Sequence, residues 1–551
     1  TVTISGAIPL KPNGWKSTNK CTGCIAYKQI KSYQLSEHIR EASGILFPDG
    51  LGSSKNIGRS ELYYNHEKMT LARWPNNDYA KIESTLSETD LLFSAPEKLP
   101  TGINIDEPMW ARGYWARDWA DLSRRTVAVM PMSGMLRLEE PIIPYGISRK
   151  GRFFLFSALD LLDSASEWYY NERTGVIYFW PVGVIEKSVI EWSLAENLLI
   201  ANNASNVFFK NSKFTKTRGT ALVLKNVDNF SVSNCEVNGS NGWAIQMVGK
   251  NSGVYHSRLQ QLGQGGISLS GGNRNLLEKS HLVAYNNVIS NYAQRVKTYQ
   301  PALQLSGVGI VARGNEISYA PHVAIMINGN EHIIENNTIS NVLMETADAG
   351  AIYMGRDWTA RGNIIRGNYL YNITSNDKRY LMGVYLDDQA SGTMIEGNIF
   401  WSVNHPVFIG GGSDNKVTSN LFVNSSPAIH LDSRGLEWQK MMTLDPKGEL
   451  QSRLNIIPYK SQKWIEKYSE LSHIIEDGLG VPQRNKFAEN YFINSESYQL
   501  LLKPEVRKLQ SFGNDEKIIK DLSTYSINAP SMSNICGYVE KLVNESVYCD
   551  F

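Results

Sequence analysis

Val311-Ala312-Arg313-Gly314-Asn315-Glu316-Ile317 returns 22 residues later as Ile333-Ile334-Glu335-Asn336-Asn337-Thr338-Ile339. Both stretches read apolar, variable, small polar or glycine, asparagine, variable, large apolar. Working outward, the same pattern recurs as SVSNCEV, AYNNVI, IIRGNYL, MIEGNIF, KVTSNLF and FAENYFI, with its asparagine at Asn234, Asn287, Asn315, Asn337, Asn368, Asn398, Asn420 and Asn490. Ser212 and Ser257 take the place of asparagine in two earlier copies, and the spacings run from 22 to 31 residues before one gap of 70. A period of this length marks a solenoid. Period-two alternation and β-branched residues make its unit a strand rather than a helix. Stacked turns lie ~4.8 Å apart, so equivalent asparagines form a column that can satisfy turn backbone otherwise orphaned inside. The expected fold is all-β: a right-handed parallel β-helix of about ten turns between residues 190 and 500.

A second strand follows each unit, in ALVLKN, AIQMVG, GISLSG, VAIMING, GAIYMGRD, GVYLDDQ, PVFIGGG and PAIHLDS. Aligned with Leu386, Ile409 and Leu431 pointing inward, these strands turn Tyr385, Phe408 and His430 outward, together with Asp387, Gly410 and Asp432. A slip of one residue would exchange the two faces. Residues before 190 do not repeat. They carry strand pairs in ELYYNHEKMTLARWPN and EWYYNERTGVIYFWPV, and QKWIEKYSELSHIIEDG has a helical pattern that fills the 70-residue gap. The expected division is an amino-terminal cap with first β-helix strands (1–59), an inserted β-sandwich-like module (60–190), the β-helix (191–500, helical insertion 437–479) and a carboxy-terminal cap (501–551).

Lys plus Arg (55) balances Asp plus Glu (54), so no global field draws the chain to nucleic acid or anionic lipid. A sulfated or uronic-acid polymer would need a local Arg/Lys patch, which totals cannot reveal. No apolar stretch approaches the ~18 residues of a membrane span. Cys21 with Cys24 and Cys536 with Cys549 suggest two local disulfides in an exporting compartment, with Cys235 buried; five free thiols is the alternative. A lone CxxC is weak grounds for zinc. The expectation is a secreted or periplasmic protein whose signal peptide has been removed.

TADAGAIYMGRDW and GVYLDDQASG bring Asp348, Asp357, Asp387 and Asp388 onto consecutive turns. Glycosidases need two carboxyl groups across the scissile bond, ~5–5.5 Å apart for retention and ~6.5–9.5 Å for inversion. Acids on neighbouring turns reach either range. Corner aspartates also cap backbone amides, and an Asp-Asp pair can bind calcium; both readings stand beside the catalytic one. Tyr353, Arg356, Trp358 and Tyr385 supply the stacking faces and bidentate donors of a sugar site. His322 lies one turn below Asp348 and could touch substrate, although a lone histidine is more often structural. His430, Asp432 and Arg434 lie two turns above, where they could form a distal subsite.

The motifs LARWPN, GYWARDWAD, EWYYNERTGVIYFWP, DAGAIYMGRDW, GVYLDDQASG and HLDSRGLEW, in that order over roughly residues 60 to 500, resemble those of glycoside hydrolase family 141. The resemblance implies a β-helix with an inserted sandwich module that acts on plant or algal polysaccharide, as α-L-fucosidase or xylanase. It places the acids at Asp348 and within Asp387–Asp388. Asp387 is favoured by the register above, and Asp388 if the strand ends early. Family 120 β-xylosidases share the architecture. Other classes carried by the same fold are a lyase of uronate polymers, which would use Lys or Arg as base near Arg356 and Arg361, and a non-catalytic carbohydrate-binding β-helix. The expected partner is a polysaccharide or oligosaccharide bound by a monomer, with no cofactor and no metal.

Overall fold

The computed structural model describes residues 2–18, 29–51, 57–99, 109–140, 144–375 and 379–518. Cys21, Cys24, Cys536 and Cys549 lie outside the described residues; Cys235 is a buried free thiol. The chain is a right-handed parallel β-helix with an inserted β module.

One face of the β-helix is a 12-stranded parallel sheet, and a 21-stranded sheet wraps the other two. A single rung takes Thr338–Ser340, Ala349–Gly355 and Ile364–Arg366 in turn. The first sheet opens on Val2–Ser5, which pairs in parallel with Ser212–Thr217, and ends on Glu516–Ile518 beside Tyr491–Ile493. Met354, Leu386, Ile409 and Leu431 stand in register and are buried in one continuous core. Their neighbours Tyr353, Tyr385, Phe408 and His430 stack on the outer face. Each fully buried aliphatic side chain contributes ~1.5–3 kcal/mol, so a one-residue slip would forfeit the whole column at once.

The corners explain the repeating motif. The small residue before each asparagine has left-handed backbone, as at Asn286, Gly314, Asn336, Gly367 and Gly397, with φ between 52° and 65°. Glycine and asparagine adopt this conformation at least cost. The next residue points inward, and its amide closes a ladder. Asn287, Asn315, Asn337, Asn368, Asn398 and Asn420 each donate a backbone N–H and a side-chain N–H to the following Oδ1, at 2.9–3.2 Å. Asn234 is not in this column. It occupies the exposed left-handed position (φ 51°), and Cys235 takes the inward one, where its N–H reaches Ser257 Oγ at 3.1 Å. A second column runs through His332, Asn363, Thr393, Asn415 and Asn485.

The inserted module is a closed barrel, where the sequence suggested two facing sheets. Trp110–Tyr114 pairs antiparallel with Asp121–Met130 on one edge and with Arg152–Phe156 on the other. Ala80–Thr85, Asp90–Ser94 and Met135–Leu138 complete the ring. Closure leaves no unpaired edge. Trp115 stacks on Phe153 in its interior, ring centroids 5.6 Å apart. The helical insertion comprises Lys440–Leu444, Glu449–Ile456, Gln462–Lys467 and Ser469–Ser472. It packs Trp464, Tyr468 and Leu471 around Trp358. The β-helix resumes at Lys486–Ala488, paired with Lys416–Thr418 across the 70-residue gap. Among the described residues no helix is long and apolar enough to cross a membrane.

Candidate active site

Two insertions flank the outer strip of the β-helix, and the acids lie between them. Glu345 ties the barrel to the β-helix three residues before Asp348. Its carboxylate accepts from Tyr79, from Tyr114 at 3.2 Å and from Lys297 Nζ at 2.9 Å. Burial would raise the pKa of Glu345, but Lys297 and the two tyrosines outweigh it and hold it below the usual range. Asp121 makes a second tie. Buried at the foot of the barrel, it binds Arg112 at 2.6 Å and the Thr298 backbone and hydroxyl.

Asp348 has left-handed backbone (φ 51°) and stands on the rim, exposed to solvent. Its Oδ1 accepts from Tyr385 OH at 3.2 Å. Desolvation by the surrounding protein raises its pKa, offset in part by Tyr385, Arg434 and the barrel's Arg117. Asp387 ends the strand Leu381–Asp387 and is buried on the outer face. It accepts from Tyr353 OH at 3.0 Å, Arg434 Nη1 at 2.7 Å and the Asp388 N–H at 2.8 Å. Burial and the adjacent Asp388 charge nevertheless push its pKa up to about 7. Arg434 Nη1 also reaches Tyr385 OH, at 3.5 Å. This chain of contacts keeps Asp348 Oδ1 and Asp387 Oδ1 within roughly 10 Å, a span that covers both glycosidase geometries.

The strand does not end early, so the register leaves Asp387 outward and turns Asp388 into a hub of polar contacts. Asp388 Oδ2 accepts from Arg356 Nε at 2.6 Å, and Oδ1 from Gln439 and from Arg434 at 3.4 Å. His430, Asp432 and Arg434 are part of the same cluster rather than a distal subsite. Arg434 grips Asp432 through Nε and Nη2 while Nη1 holds Asp387. Burial opposes ionisation of Asp432, but hydrogen bonds from His430 and Arg434 win and lower its pKa. His430 is buried, stacked on Phe408 at 3.8 Å and bonded to Gln499.

Three expected site residues sit behind this cluster. Asp357 binds Thr359 and Arg274, which fixes the corner after Gly355. Trp358 is buried against the helical insertion, its Nε1–H on Gln389. His322 is buried under Tyr299, hydrogen-bonded through Nδ1 to Thr346 and kept neutral by a pKa that burial lowers to about 3. Residues that the sequence reading passed over are Gln439, Tyr299, Arg117 and Trp438. Trp438 is 71% exposed and lies 5.5 Å from the Arg434 guanidinium. Both Trp438 and Gln439 sit at the end of HLDSRGLEWQ, where proximity to Arg434 was the available signal.

A family model described as right-handed β-helix region matches residues 197–293 and 301–440. The fold is that of a right-handed parallel β-helix. A solved structure described as a glycoside hydrolase is 13% identical, with a TM-score of 0.56, covering 77% of this chain and 82% of its own. A complex of XylC with xylose is 10% identical, with a TM-score of 0.41, covering 93% of this chain and 75% of its own. The A-module of the Azotobacter vinelandii mannuronan C-5 epimerase AlgE4 is 10% identical, with a TM-score of 0.23, covering 59% and 74%. No curated protein matches the sequence. The first of these likenesses carries the fold alone; the chemistry rests on the residues above.

Proposed function

We propose that this chain is a glycoside hydrolase of the family 141 kind, which cleaves a plant or algal polysaccharide outside the cytoplasm with Asp348 and Asp387 as its working acids. The observation that carries the reading is a contrast between two carboxyls within roughly 10 Å of each other, Asp387 buried and Asp348 open to solvent. Asp387 is buried beside Asp388 with a pKa of about 7, so about half of it carries a proton at neutral pH. That proton passes to the glycosidic oxygen as the carbon–oxygen bond breaks. Asp348, open to solvent, supplies a carboxylate that activates water or attacks the anomeric carbon. Arg434 and Tyr353 orient Asp387, Tyr385 orients Asp348, and Trp438 offers a stacking face at the rim. α-L-Fucosides and xylans are the first substrates to examine.

The test incubates wild type, Asp348→Asn and Asp387→Asn with fucoidan, xylan, pectic and red-algal galactan panels. Reducing ends and absorbance near 235 nm are followed together. New reducing ends without the absorbance, lost in both variants, are expected. A rising 235 nm signal would instead report β-elimination, and full activity in both variants would remove the acid pair from the mechanism.

A further inference from the structure

A cavity of about 350 Å³ lies at the junction of the barrel, the amino-terminal segment and the β-helix. That volume is in the range of small-molecule sites. Its β-helix wall carries Asn241, Gln261 and Gln294, on the same corner as Glu345 and Asp348. Gln294 and Gln261 precede the Asp348 rung by two and three rungs, ~10–14 Å along the axis. Leu71 and Phe156 give it apolar surface from the other side.

The charge on its walls is not balanced. Five lining cations have carboxylate partners: Arg59 with Glu172, Arg112 with Asp121, Arg295 with Asp49, Lys68 with Glu61 and Lys297 with Glu345. Arg73 has no ion pair among the described residues. Its Nε and Nη2 donate to the carbonyls of Pro75 and Asp78, and its guanidinium lies 4.0 Å from the Phe154 ring centroid. Glu345, Glu167 and Glu97 act on it only at longer range, too weakly to offset the burial that lowers its pKa. A half-buried guanidinium without a counter-charge is costly, and an anion at the cavity wall would reduce that cost. The remaining polar atoms suit hydroxyl groups. Asn241 serves the wall only structurally, its amide nitrogen fixed on the Arg59 carbonyl at 2.9 Å and its Oδ1 closed off from solvent. Gln294 Nε2 donates to Gln261 Oε1 at 2.8 Å, which leaves one amide acceptor and one amide donor of that pair available.

We propose that this cavity is a second saccharide-binding site, taking a carboxylate- or sulfate-bearing sugar unit with its anionic group at Arg73, its hydroxyls on Gln261 and Gln294, and its ring against Leu71 and Phe156. The site depends on the proposed polysaccharide substrate only for the source of its ligand. It would hold an acidic unit of the polymer at a fixed distance from the acids.

The test is isothermal titration of the full chain with galacturonate, galactose 6-sulfate, galactose and inorganic sulfate. Wild type should bind at least one acidic sugar, about tenfold or more tightly than galactose, with affinity falling as salt rises. Arg73→Met keeps the packing on Phe154 and should weaken acidic-sugar binding about tenfold or more, while Arg73→Lys retains most of it. Thermal melts establish whether Arg73→Met folds. Gln294→Glu places a repelling charge on the half-buried wall without touching the barrel and should weaken the same ligands selectively. Asp348→Asn should bind as wild type, so a chain without hydrolytic activity still tests this site. The two acidic sugars separate carboxylate from sulfate recognition. The proposal falls if neither acidic sugar binds, if galactose or inorganic sulfate binds as well, or if binding survives both Arg73→Met and Gln294→Glu. It also falls if binding is lost in Asp387→Asn, which would place the ligand at the acid cluster.

Discussion

Arg434 is the residue on which the acid cluster turns, because one guanidinium bonds Asp387, Asp388 and Asp432 at once. Removing one partner of a buried ion pair typically costs ~3–5 kcal/mol. Arg434→Met should therefore lower stability by about that amount in calorimetry at pH 7. It also removes the charge that restrains the Asp387 pKa, so that pKa rises further above 7. An acid that acts while protonated loses activity as pH climbs through its pKa. The falling limb of the wild-type rate profile is thus expected near 7 and at higher pH in Arg434→Met, whatever the drop in rate. A limb that stays in place would show that Asp387 is not the proton donor. The same pKa has a thermodynamic consequence. A carboxyl raised from ~3.9 unfolded to about 7 folded holds an extra proton only in the folded state between those values. Its stabilisation is complete below pH ~4 and disappears by pH ~7. Melting curves of Asp387→Asn should lack that slope, which is worth a few kcal/mol at most.

At the scale of the element, the asparagine ladder converts a sequence period into a stacked rung. Deleting the Asn337 amide would take from the Asn315 backbone N–H and the Ala312 carbonyl their side-chain partner inside the core, while the Asn315 amide keeps the Ala284 and Arg313 carbonyls. At ~1–3 kcal/mol for each buried orphan, Asn337→Ala should cost ~2–5 kcal/mol in denaturant titration. Asn234→Gly should cost only a few tenths, since that residue is in an exposed left-handed turn where glycine is at home. Cys235→Ser should fall within ~1 kcal/mol of wild type, because Ser257 already serves in the same column. Equal losses at residues 234 and 337 would contradict this assignment. The pair at 234 and 235 also marks how far the sequence could be read. The period, the strand faces and the inward set Leu386, Ile409 and Leu431 were legible, because alternation has only two phases. The ladder position in SVSNCEV was not. A cysteine hides there beside an asparagine that satisfies the pattern one step early. The second column stayed hidden because His332 and Thr393 interrupt its asparagines.

The molecule as a whole depends on contacts between parts that are remote in sequence, and these left little trace in the pattern. Barrel closure is a pairing of Trp110–Tyr114 with Arg152–Phe156, strands with nothing in their own alternation to distinguish a ring from a sandwich. Gln439 reaches Asp388 from the insertion, across 51 residues. Glu345 shows what such contacts do for function. Tyr79 and Tyr114 of the barrel and Lys297 of the β-helix converge on it, and the chain then runs directly into Asp348. If the barrel fixes the rim acid through this carboxylate, Glu345→Gln should keep the packing, weaken the junction and reduce turnover more than substrate affinity. The Glu345 pKa is lowered by folding, so its contribution is present above the unfolded value of ~4.3 and fades as pH falls through the folded one. Wild type and Glu345→Gln should therefore differ in melting temperature at pH 7 and converge as the pH is taken well below 4. A difference that persists unchanged into acid would mean that the glutamate acts by shape alone, and that its charge does not lock the barrel onto the Asp348 rung.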